Sequence, residues 1–301
     1  MDLGQLEPAA GGKLAGTGGI PTGITLPPLD ILKNPHNDPR DIGAWAISVK
    51  PVTHTLRAEG LGGDYTTMNA WQAGEQRDLV AANETETLEC YNDWPEGLDE
   101  SIDITGWTTG PENGITVRAA TGQGHNGVPG AGFYLHGQTL SSVVNTMTMS
   151  QSYIVIEDIQ VGNSCGRTGL SQNATATYAT VRRCIFTAAN VNNVSHGPAG
   201  FARATETNVY SCLFINLGTT GHAVKVDQRS GGVSLFANNT LISNAQHILN
   251  FASGTVVATT FKNNVLMGTA ATVNTTFTHL DSDTNAFVSG GETFGTNPIP
   301  D

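Results

Sequence analysis

The segment HAVKVDQR, residues 222–229, is the strongest local arrangement for chemistry in this sequence. Alternation along a strand would turn Val224 and Val226 inward and put Lys225, Asp227 and Arg229 on one outer face. A lysine or arginine beside a carboxylate can act as base and electrophile, the pairing that β-elimination from a uronic acid requires. Three alternating charges also make an ordinary solvated strand face, which needs no further assumption. Paired carboxylates for glycoside hydrolysis could come from Asp281 and Asp283 in HLDSDTN, or from Glu157 and Asp158. The DSDTN run reads as a polar turn, and one member of an adjacent strand pair faces inward.

Other chemistry is sparse. Cys90, Cys165, Cys184 and Cys212 form no CxxC pair, and the eight histidines are scattered, so no metal site is expected. No serine or cysteine sits in a nucleophile elbow. Glycine strings such as GQGHNG lack a following helix to cradle phosphate, so no cofactor is expected. From Glu84 to Asp103 there are eight carboxylates and no lysine or arginine, which argues against a nucleic-acid partner. The stretch offers oxygen ligands of the kind calcium takes, although a solvated acidic face accounts for it as well.

The elements that must position these groups follow from composition and period. The 301 residues carry 26 acidic and 14 basic side chains, a net charge of -12, and charged residues are only 13% of the chain. With 36 glycines and 39% hydrophobic residues, a coiled coil, a helical bundle and a charged disordered chain are all excluded. No apolar run is long enough for a membrane-spanning helix, and MDLGQLEPAAGGK lacks the basic and apolar regions of an export signal. Residues 1–58 are Gly- and Pro-rich and read as an extended arm, with Ile20, Ile24, Leu26, Leu29, Ile31 and Leu32 as apolar anchors. Residues 59–78 read as a capping region. There Met68, Trp71 and Leu79 share one helical face, with Asp64 or Thr66 as N-cap.

Residues 79–280 repeat. ITGWTT, IEDIQV, VRRCIF, VYSCLF, FANNTL and FKNNVL align on Ile104, Ile156, Val181, Val209, Phe236 and Phe261, at intervals of 52, 25, 28, 27 and 25. The doubled first interval implies a hidden rung, placed around Phe133–Leu135. Two residues before each start stand Ile102, Ile154, Ala179, Thr207, Ser234 and Thr259, an inward face of period two. Two residues after it stand Gly106, Asp158, Arg183, Ser211, Asn238 and Asn263, which suits a tight turn with left-handed backbone. Next come Trp107, Ile159, Cys184, Cys212, Asn239 and Asn264, predicted to point inward. Asn239 and Asn264 should form an amide ladder. Cys184 and Cys212 should lie about 4.8 Å apart at Cα yet stay as free thiols. The expected fold is therefore all-β, a parallel solenoid of about 26 residues per rung, with residues 281–301 left as a C-terminal tail.

This pattern resembles right-handed parallel β-helix proteins, and GDYTTMNAWQAGEQRDLV with LECY and ITGWTT looks like the N-terminal cap and first rungs of those encoded by tailed phages and environmental bacteria. The resemblance implies a non-enzymatic virion component, a head decoration or a spike- or fibre-like part, assembled in the host cytoplasm. Its partners would be other virion proteins, met through the arm at Ile24, Leu26, Leu29, Ile31 and Leu32, and a second and third copy of itself. The same resemblance also admits a polysaccharide lyase or glycoside hydrolase, or a glycan-binding module. Outer faces such as QSYIV, TATYATV and ATVNTTF are rich in Thr, Asn and Ser and suit contacts with a surface glycan. Aromatics are 7% of the chain, however, and several belong to core columns.

Overall fold

The computed structural model describes residues 48–137, 145–163, 168–173, 175–188, 197–202, 206–218, 220–227, 233–244, 247–251, 259–268, 273–274, 280–283 and 285–288. The arm anchors Ile24 to Leu32, Cys165 and Arg229 lie outside them. The chain divides into two units, Met1–Lys50 and Pro51–Asp301. The second is a parallel β-solenoid with sheets of nine, eight and seven strands among the described residues.

One coil illustrates the rest. Ala179–Arg182 lies in the nine-stranded sheet, Ile185–Ala188 in the eight-stranded sheet and Ala199–Ala202 in the seven-stranded sheet. The chain then returns to the first sheet as Glu206–Tyr210, in parallel register with Ala179–Arg182. Between the first two strands the corner is a single residue. Asp158, Arg183, Ser211, Asn238 and Asn263 hold it with φ between 51° and 60°. One left-handed residue reverses the inward–outward parity, so Val181 and Cys184 are both buried across the bend. The turn column and the inward columns on either side of it thus stand as the period predicts.

The early part of the alignment needs correction. Ile102 and Ile104 pair with Met147 and Met149 in the seven-stranded sheet, not with the Ile156 column. The residues that precede Ile156 in register are Val117 and, before it, Leu88. Phe133–Leu135 is not the missing rung of that column either, because Leu135 pairs with Val161 in the eight-stranded sheet. The cause is physical: Gly106 has φ 81° and Trp107 is buried, so the same local bend recurs at another corner of the coil. A three-sided solenoid repeats its corner grammar within a rung as well as between rungs.

Both ends of the expected body also shift. Lys50–Leu56, within the stretch read as arm, is a strand of the nine-stranded sheet. Helix α1 (Met68–Glu75) is capped by Thr67, whose hydroxyl accepts from the Ala70 amide at 3.1 Å, rather than by Asp64 or Thr66. Asp64 instead accepts from the Thr55 amide and hydroxyl. Leu79 does not continue that helix. It begins a separate turn, α2 (Leu79–Ala82), capped by Asp78. At the other end, Leu280–Asp283 and Ala286–Val288 are strands, so Asp281 to Asp283 form no turn and the solenoid runs into the segment read as tail.

The core is one contiguous column of side chains. Phe186 stacks on Phe214 at 5.1 Å and Phe236 on Phe261 at 4.8 Å, each pair in register on successive rungs. Such pairs add about 0.5–1.5 kcal/mol to what burial alone supplies.

Candidate functional site

Val224 and Val226 are buried and Lys225 is half-buried on the strand His222–Asp227, as alternation requires. Lys225 stands in register with Gly200 and Asn250, and neither neighbour is a carboxylate. Asp227 continues the same strand beside Ala202. Glu157 and Asp158 are both held by arginines: Arg182 Nε donates to Glu157 Oε2 at 2.5 Å, and Arg183 reaches Glu157 at 3.0 Å and Asp158 at 2.7 Å. Asp158 and its partner Glu157 push the Arg183 guanidinium further up.

These contacts belong to a ladder on the outer face of the nine-stranded sheet. Glu89, Arg118, Glu157, Arg182 and Tyr210 are successive register partners, continued by Ala237, Lys262 and Asp283. Arg118 donates to Glu89 at 2.7 Å and approaches Glu157 at 4.0 Å, while Arg182 also donates to the Tyr210 hydroxyl at 3.3 Å. Opposite charges directly across a parallel pair stabilise the register, and like charges there would oppose it. The signal was the residue just after each start in the repeat alignment.

A second polar cluster joins the first strand to α1. Glu86 is fully buried, yet it accepts from Trp71 Nε1 at 3.0 Å and Arg77 Nη2 at 3.0 Å, and faces His54 Nδ1 at 2.8 Å. His54 Nε2 meets Glu75 at 3.2 Å, and the Tyr65 hydroxyl donates to the same Glu75, a hydrogen bond that, with burial, pushes the phenol up to about 12. Arg77 also binds Glu84 and lies over the Trp107 ring at 5.8 Å. His54, Glu75 and Glu86 bring three ligand atoms within 4.8 Å of one another, enough to hold a metal ion. Both imidazole nitrogens already face carboxylates and Arg77 already neutralises Glu86, so an ion would have to displace existing bonds. The acidic stretch is thus not uniformly solvated. Glu84, Glu86, Glu89 and Asp93 each pair with an arginine from outside it.

The remaining feature is a groove of about 350 Å³ on the nine-stranded sheet. Thr87, Thr116, Val155, Thr180 and Asn208 line it from five consecutive strands, together with Tyr153, Tyr178, Glu112 and Glu206. Tyr153 and Tyr178 sit on successive rungs with rings 4.8 Å apart and 10° from parallel. Both are left-handed, φ 53° and 63°, a conformation that costs a bulky residue about 1–2 kcal/mol. Ser152 and Thr177 tie the preceding residues together through their hydroxyls at 2.8 Å, which holds the two rings in step. QSYIV and TATYATV contain these tyrosines, although in sequence the two segments stand out only for their hydroxyl-rich faces. Recognising the pair needed the register, which the two strands share through Val155 and Thr180.

The class defined by this fold is the parallel β-solenoid. Comparison of the chain with protein-family models, curated proteins and solved structures finds no match.

Proposed function

We propose that the chain is a non-enzymatic structural component of a phage virion, a right-handed parallel β-helix attached through its N-terminal arm as a head decoration or a spike- or fibre-like part. The observation that supports it is the charge ladder from Glu89 to Tyr210, in which ionic groups bond between rungs. Such cross-strand pairs stiffen the stack, which is what a passive, exposed particle component requires. Low charge content and an apolar-anchored arm point the same way. Flat stacked sides suit three-fold packing, so a homotrimer with exchanged arms is part of the proposal.

The alternatives are a polysaccharide lyase, which would use Lys225, Asp227 and Arg229, and a glycoside hydrolase, which would use Asp281 with Asp283 or Glu157 with Asp158. On the outer face that Lys225 occupies, its described register neighbours Gly200 and Asn250 add no further charge.

The test is incorporation. Full-length protein and a variant lacking residues 1–45 are expressed during infection, and purified particles are examined by labelled electron microscopy. The full chain should appear on particles and the truncated one should not, although its body stays β-rich and folded. Incorporation of the truncated form at the wild-type copy number would sink the arm as attachment device. Absence of the full chain from particles, with release of reducing or unsaturated sugars from polysaccharides, would favour the enzyme.

A further inference from the structure

The two tyrosines of the groove each give one ring face to the other, and both line the groove. Because their rings stack on each other across successive rungs, the other face of Tyr153 looks toward the rung before it and that of Tyr178 toward the rung after. One residue ahead of the registered pairs Ile115–Ile154 and Ala179–Thr207 stand Gly114 and Glu206, and both border the groove. Gly114 has no side chain, and an added Cβ would come within 2.6 Å of the Tyr153 carbonyl oxygen. Gly114 therefore packs its backbone closely against Tyr153 and adds no side chain to the groove wall. A pyranose ring can lay its C–H face on an aromatic ring, whose negative π surface attracts those polarised hydrogens.

The polar lining selects among ligands. Glu112 and Glu206 both border the groove, and Asn208 donates to Glu206 at 3.1 Å, which steadies that carboxylate while leaving its other oxygen to accept. Carboxylates accept strongly from sugar hydroxyls and repel uronates and other acidic groups. A volume of about 350 Å³ is at the small end of ligand pockets and suits one or two sugar rings of a chain running along the sheet. We propose that this groove binds an uncharged oligosaccharide, with Tyr153 and Tyr178 as stacking platform and Glu112, Glu206 and Asn208 as hydrogen-bonding groups. The proposal holds wherever the protein resides, so it stands apart from the virion reading.

The probes are maltohexaose and cellohexaose, with trigalacturonate as the acidic control, against full-length protein. Saturation-transfer NMR should show magnetisation passing to the neutral sugars' C–H protons and not to trigalacturonate. Tyr153→Asn and Tyr178→Asn remove one ring each while Asn tolerates the left-handed backbone, and each should weaken binding by about tenfold or more. Glu206→Gln, on an exposed side chain, should weaken the neutral sugars several-fold and reduce discrimination against trigalacturonate. No transfer to either neutral probe at about 10 mM sugar, where even a weak site of about 1 mM would be filled, would overturn the proposal. So would unchanged binding in both tyrosine variants. If those variants instead alter the sedimentation of the protein without affecting sugar binding, the groove is a contact between copies and the glycan assignment fails.

Discussion

Asn264 Oδ1 accepts two bonds from Asn239, one from its side-chain amide at 3.0 Å and one from its backbone amide at 2.9 Å. Asn264 in turn donates the same two bonds to Asn285 Oδ1, both at 3.0 Å. Asn239 Oδ1 receives the Cys212 backbone amide at 2.9 Å, so the ladder runs through three buried side-chain amides and ends on that main-chain N–H. Each amide also donates to a carbonyl of the previous rung: Val209, Phe236 and Phe261. The Cys212 and Cys184 sulfurs make the equivalent approach to Val181 and Ile156.

Asn239→Leu should therefore lower stability by about 1–3 kcal/mol, because the Cys212 amide and the Val209 carbonyl lose their partner while remaining buried. Thermal unfolding followed by circular dichroism measures it. An unchanged midpoint would mean that the ladder contributes nothing net.

Arg77→Ala should be more damaging, by about 3–5 kcal/mol, since it strands the fully buried Glu86 carboxylate. Glu86→Gln in the same background should recover part of the loss by removing the uncompensated charge. Urea denaturation of the single and double variants tests this, and a double variant less stable than Arg77→Ala alone would contradict it.

How much of this was readable from sequence depends on whether a residue belongs to a period. The turn at Arg183 and Ser211, the Asn239–Asn264 ladder and the inward Cys184 and Cys212 recur every coil, so alignment of the repeats exposes them. His54, Glu75, Arg77 and Glu86 come together once, from a strand, a helix, a loop and another strand, and nothing in the sequence repeats to signal that meeting. Asn285 was missed because its coil is short, 21 residues after Asn264 where the preceding step is 25. Tyr153 and Tyr178 do recur at the rung spacing, but no third aromatic extends their column: Gly114 and Glu206 flank them.

Acid should loosen the first strands. The Arg57 guanidinium, bonded to Asp93 at 3.0 and 3.2 Å, holds that carboxyl below its ordinary range, and bonds from Thr55 do the same for Asp64. A depressed folded pKa means that the unfolded chain binds the proton first. The stabilisation is thus complete above the ordinary aspartate value of about 3.9 and is lost as pH falls through the lower folded value. Asp93→Asn should flatten this part of the stability profile between about pH 4 and pH 2. Hydrogen exchange of the Ala58 amide, which donates to Asp93 at 3.2 Å, reports it locally, and a profile identical to wild type would refute the assignment.

Alkali acts on the opposite side through the buried thiols. Cys90, Cys184 and Cys212 are free and buried, and burial pushes the Cys90 and Cys184 thiols well above their ordinary value. A raised folded pKa means that the native chain keeps protons which the unfolded chain releases. Stability is complete below the unfolded thiol value of about 8.5 and declines as pH rises beyond it. The thiolate is the reactive form, so Cys90, Cys184 and Cys212 of the native protein should resist iodoacetamide even at about pH 9, while chain unfolded in urea is alkylated at all of its cysteines. Intact-mass analysis separates the outcomes. Modification of Cys184 or Cys212 in native protein at the unfolded rate would mean that this column opens to solvent. A native mass 2 Da below the reduced formula, restored by reductant, would instead mean that a disulfide has formed.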